Sequence, residues 1–154
     1  MDKGYDSTRT YKTQKGVRNF IDKAVGLEKI VMCLEVARLA PSACNSQPWK
    51  FIVVDDRQLI KRLCDVAFSG VYSTNSFCKT TPVIVAVVSE KSKFLARVGG
   101  MYRGTEYHLT GIACEHFVLQ AVELGLGTCF ISWFDEGAIK AALNVPQQKK
   151  IDIC

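Results

Sequence analysis

The sequence is poor in the residues from which metal and disulfide sites are built. Its 154 residues hold only two histidines, His108 and His116. They are separated by eight residues and lack carboxylate or cysteine partners at ligand spacing, so they read as surface or structural histidines and no metal site is expected. The seven cysteines, at 33, 44, 64, 78, 114, 129 and 154, include no C-x-x-C pair. That fits reduced thiols, several of them acting as small hydrophobes. No apolar run approaches the roughly 20 residues that a membrane-spanning helix needs. The first residues carry no apolar core of a secretory signal, so a cytoplasmic chain is expected. Charge is also scarce in clusters: the net +5 comes from 20 Lys and Arg against 15 Asp and Glu, without a run of five or six of one sign. A solvated surface, and not a nucleic-acid face, follows.

What is present is ordinary for one globular domain, with 48% hydrophobic and 23% charged residues. Residues 1–14 are polar and aperiodic and read as a flexible leader, leaving 15–154 as the folded unit. Two of the four prolines bracket one loop, in the run A-P-S-A-C-N-S-Q-P-W-K-F-I-V-V at 40–54. Pro41 stops a preceding helix and Pro48 holds Gln47 out of the helical region before a strand begins. Between them Ser42, Ala43, Cys44, Asn45, Ser46 and Gln47 are small or hydrogen-bonding. Such residues leave backbone N–H groups approachable and suit a flat ligand with polar edges. Cys44 reads as a small filler here.

The remaining elements follow from periodicity and punctuation. Apolar residues at 27, 30, 31 and 34 predict a helix over 27–39. Residues 51–54 form a strand, and Asp55-Asp56 caps an amphipathic helix carrying Leu59, Ile60, Leu63, Cys64 and Ala67. A small-residue loop covers 69–75. The run P-V-I-V-A-V-V at 82–88 is apolar on both faces and should lie in the centre of a sheet. A charged, glycine-bearing connection follows at 90–101, then a helix at 111–124 that is apolar almost all the way round. Gly125-Leu126-Gly127 ends that helix ahead of a strand at 128–131. A short helix at 136–143 is closed by Asn144-Val145-Pro146, and an alternating strand starts at Ile151.

Three motifs in order resemble the nitroreductase family of FMN-dependent oxidoreductases. Ala40, Pro41, Ser42, Asn45, Gln47, Pro48 and Trp49 match its flavin loop, A-P-S-x-x-N-x-Q-P-W. The run K-G-V-R-N-F-I-D-K-A-V at 15–25 is similar to its phosphate-binding segment, and G-I-A-C-E-H-F-V-L-Q-A-V-E-L-G-L-G-T-C at 111–129 to its central helix and following strand. The resemblance implies an α+β fold, with a mixed, mostly antiparallel sheet of about four strands flanked by helices, and a homodimer built on the 111–124 helix. It also implies FMN as cofactor, NAD(P)H as donor and a nitroaromatic, quinone or similar flat acceptor. Lys15 and Arg18 would then face the FMN phosphate, and Pro41, Ser42, Ala43, Asn45 and Gln47 would form the flavin loop. Asn75 would approach the ring, with Lys79 a weaker candidate beside it. Ser132 and Trp133, followed by Phe134, would offer backbone N–H groups to the ring edge. The flavin carries the redox chemistry, so no catalytic acid, base or nucleophile is named.

Two departures from the family pattern bear on function. Where the family commonly has R-R-S-x-R-x-F, this chain has Gln14, Lys15, Gly16, Val17, Arg18, Asn19 and Phe20, so one arginine and one serine are replaced. The family also continues past the final strand into a tail that usually brings further basic residues, which the domain is expected to lack. A second reading is therefore a non-catalytic or degenerate flavin-binding homodimer. A third is a relative that cleaves or dehalogenates under a lid, for which 90–108 is the candidate segment.

Overall fold

The computed structural model describes residues 7–90 and 105–153. In chain order it contains helix α1 (Ser7–Thr13), helix α2 (Leu27–Arg38), strand β1 (Trp49–Val54), helix α3 (Arg57–Ala67), strand β2 (Ile84–Ser89), helix α4 (Thr105–Glu123), helix α5 (Glu136–Leu143) and strand β3 (Lys150–Ile153). Short 3-10 segments cover Ala43–Asn45 and Gly70–Thr80.

The sheet has the order β1-β2-β3, and both pairings are antiparallel. β1 and β2 run in unbroken register from Trp49 opposite Ser89 to Val54 opposite Ile84. β3 joins the other edge of β2 across an irregularity between Val87 and Val88. The doubly apolar strand is thus central, as its sequence requires. Ile84, Ala86 and Val88 belong to the main core cluster with Leu63, Ile60 and Ile139 from α3 and α5. α2 packs on α4 behind the sheet.

Local chemistry explains several boundaries. The Asp56 carboxylate accepts from the Leu59 N–H at 2.7 Å and starts α3. Asp135 does the same for α5 through the Ala138 N–H at 2.9 Å. α4 ends in a Schellman motif: Leu126 N–H donates to the Ala121 carbonyl and Gly125 N–H to that of Val122, with Gly125 at φ +75°.

Three expectations are corrected. Residues 7–13 are helical and not a flexible leader; Thr10 is buried and its hydroxyl donates to Glu123 at 2.6 Å, tying α1 to α4. This tertiary bond leaves no trace in local periodicity. The segment 128–131 is not a strand: it makes one isolated parallel bridge, Thr128 with Gly16, so among the described residues the sheet has three strands instead of about four. Within it Ile131 is buried, while Phe130 is exposed. Of the loop expected at 69–75, residues 70–75 belong to the 3-10 segment and Ser69 precedes it. Of the segment 90–108 weighed as a lid, 91–104 lies outside the described residues.

Candidate functional site

The loop between α2 and β1 is conformationally costly. Cys44, Asn45 and Gln47 all have positive φ, at 53°, 51° and 41°, although none is glycine. Each such residue costs about 1–3 kcal/mol, and clusters of them persist where the surroundings over-determine them. Here the restraints are local: the Gln47 N–H donates to Ser42 Oγ at 3.0 Å, and the Gln47 side-chain amide donates to the Arg38 carbonyl at 3.3 Å. Asn45 N–H to the Ser42 carbonyl and Ser46 N–H to that of Ala43 close the turn. Pro48 anchors its far end, accepting from the Glu90 N–H at 2.8 Å. Pro41, Ala43, Cys44 and Asn45 are left exposed. Cys44 therefore does not fill space.

A second group of expected site residues assembles elsewhere. Asn75 donates its side-chain amide to the Trp133 carbonyl at 2.6 Å. The Trp133 indole N–H donates to the Val71 carbonyl at 3.1 Å, and its ring lies 5.2 Å from that of Tyr72. Trp133 is nonetheless 60% exposed, so it is a pinned surface aromatic and not a core residue. Arg18 reaches the same 3-10 segment, with its guanidinium 5.9 Å from the Phe77 ring centre. Lys15, Arg18 and Ser132 are exposed. Residue 16 is locked beside Thr128, whose carbonyl accepts from the Val17 N–H at 2.8 Å. Lys79 instead pairs with Asp65 at 2.6 Å. Tyr72 and Phe77 were not legible as site residues, because their relevance depends on contacts across about sixty positions of sequence.

Between the strap of residues 17–26, the sheet, α2 and α4 lies a cavity of about 580 Å³. Val83, Val85 and Val87 floor it, and Phe20, Phe117 and Val118 are among its walls. At about 24 cal/mol per Å³, a sealed void of that size would cost on the order of 14 kcal/mol, comparable to the whole stability of a domain. An open or occupied space is the sustainable state. None of residues 41–47, 75, 132 or 133 borders it. Burial raises the thiols of Cys33 to about 11 and Cys114 to about 12, so both are neutral, inert walls.

The model of the nitroreductase family matches residues 11–75 and 69–153. The chain belongs to the nitroreductase family. Among solved structures, a nitroreductase family protein from Clostridium novyi superposes with a TM-score of 0.84 at 27% identity, covering 97% of this chain and 82% of that one. An FMN-dependent nitroreductase from Clostridium difficile gives a TM-score of 0.76 at 28% identity, covering 94% and 82%. In sequence, an iodotyrosine deiodinase from Thermotoga neapolitana is 26% identical over 92% of this chain and 82% of its own. A protein of Methanothermobacter thermautotrophicus named for NADH dehydrogenase or NAD(P)H nitroreductase activity is 30% identical over 79% of this chain and 58% of its own.

Proposed function

We propose that this nitroreductase is an FMN-dependent oxidoreductase that takes hydride from NAD(P)H and passes electrons to a nitroaromatic, quinone or similar flat acceptor in the cytoplasm. The observation that carries the reading is the exposed loop at 41–47, held in a strained backbone by its own hydrogen bonds. FMN, when bound, supplies the hydride and electron transfer. Every other part falls to the chain. Pro41, Ser42, Ala43, Asn45 and Gln47 form a rigid edge for a flat ring. Lys15 and Arg18 supply positive charge for a phosphate. Asn75 fixes the backbone at Trp133, so that Ser132 and Trp133 present their segment in one geometry.

A homodimer fits this division of labour. The loop is hydrogen-bonded to its own helix, while the cluster around Trp133 is built by other segments, and a second copy would bring the two kinds of half-site together. Exposed apolar residues on α2 and α4, including Leu27, Val31, Met32 and Ile112, support such pairing. Among the described residues no helix is long and apolar enough to cross a membrane.

The degenerate, non-catalytic reading has its own support in Gln14 and Gly16, which replace a guanidinium and a hydroxyl of the family pattern. FMN titration by fluorescence quenching, with the oligomeric state measured in the same buffer, separates the two. Sub-micromolar binding of about one FMN per chain, followed by NAD(P)H-dependent reduction of an acceptor, is expected. A dimer that takes up no FMN would replace the enzyme reading with the degenerate one.

A further inference from the structure

The cavity beneath the strap has no role in the flavin reading. We infer that it is a binding site for a small apolar molecule bearing a single anionic group, separate from the FMN site. Its volume of about 580 Å³ falls within the range of small-molecule sites. The walls are hydrocarbon, aromatic rings and thiols: Phe51, Phe77 and Phe117 stand with Cys33, Cys78 and Cys114. Sulfur and ring edges together favour an aromatic or otherwise polarisable body.

Charge fixes the other end of the ligand. Among the described residues the lining contains two cationic side chains, Lys23 and Lys29, and no carboxylate. Lys23 is exposed and Lys29 half-buried, so neither side chain is fully withdrawn from solvent. Lys29 is steadied by one hydrogen bond, from Nζ to the Leu124 carbonyl at 3.0 Å, and keeps further donors. An apolar interior below two cations selects a monoanionic amphiphile over a neutral or cationic one.

The strap also provides a way in. It is attached at the Val17 end to Thr128, through Phe20 stacked on Phe77, and through an ion pair of Asp22 with Arg57. The Asp22 side chain is 88% exposed, so that pair restrains weakly.

Calorimetric titration with 2-naphthoate, on FMN-free and FMN-loaded protein, tests the site. Saturable binding of one 2-naphthoate per chain is expected, with the same affinity in both forms. Lys23→Ala, at an exposed position, should weaken it roughly three- to tenfold. Ala121→Phe, which puts a ring into the cavity, should abolish it and leave FMN retention unchanged. Absence of saturable binding to the folded wild-type protein, or displacement of 2-naphthoate by FMN, would overturn the inference. Equal affinity for 2-methylnaphthalene, or no loss in Lys23→Ala, would overturn the anionic assignment. If Ala121→Phe fails to fold, the Lys23 variant and the FMN competition decide the question alone.

Discussion

The two faces of β2 carry similar side chains and meet different fates. On one face Ile84, Ala86 and Val88 pack against Leu63, Ile60 and Ile139 in a continuous core. On the other, Val85 and Val87 look into the cavity beneath the strap. The difference lies in what each face was given as a partner. α3 follows β1 directly, has a strong apolar stripe and is capped by Asp56, so it docks at short range. The opposite face depends on α2, α4 and a strap that reaches Thr128 through distant contacts. One face holds the fold, and the other leaves room for ligands.

The largest test of that contrast is Leu63→Ala on the packed face. Leu63 is 2% exposed, and its truncation should cost about 2–5 kcal/mol in denaturant unfolding. Val85→Ala, which already borders open volume, should cost about 1 kcal/mol or less because little new void arises. Equal losses would erase the distinction. Arg18→Ala probes the ligand side: FMN retention should weaken by about 1.5–3 kcal/mol, the scale of a charged hydrogen bond, with little change in cofactor-free thermal stability. Unchanged FMN affinity would remove Arg18 from the site.

Gly16→Ser restores the hydroxyl of the family pattern. A Cβ at residue 16 would meet only the Cys129 thiol, at 3.9 Å, so the change should fold normally. If the phosphate lies there, FMN should bind about 1 kcal/mol more tightly, as a fluorescence titration would report. The smallest effect is expected at Glu90, which pairs with Lys149 at 2.7 Å and Lys50 at 3.0 Å, joining the ends of the sheet. Hydrogen bonds from Lys149 and then Lys50 hold its carboxyl below the usual range. A depressed carboxylate stabilises above its unfolded pKa, about 4.3, and the contribution fades as pH falls through the folded value. Glu90→Gln should therefore cost about 0.5–1 kcal/mol at pH 7 and progressively less at lower pH, measured by unfolding across that range.

Much of the molecule was legible because its causes are local. Pro41 and Pro48 bound the loop, Asp56 starts α3, Gly125 ends α4, and β2 declares itself central by being apolar on both faces. The family motif at 40–49 located the loop but not its strain, since three positive φ values at Cys44, Asn45 and Gln47 emerge only from closure onto Ser42 and Arg38. Residues 128–131 show the converse. Thr128, Cys129, Phe130 and Ile131 suit a strand, yet among the described residues they form one bridge, to Gly16, because a ladder needs a partner strand as well as suitable side chains.

The sequence by itself determined α2, α3, α5 and the greater part of α4, the central apolar strand β2, the turn residues and the family, all of which depend on side-chain period, caps and short motifs. Tertiary structure alone decided that Thr10 fastens α1 to α4, that Asn75 meets Trp133 and that Arg18 lies over Phe77. It also decided that a strap roofs a cavity instead of sealing a core. Those outcomes turn on contacts between residues far apart in the chain, whose balance of burial, charge and closure entropy is set only when the whole chain is folded.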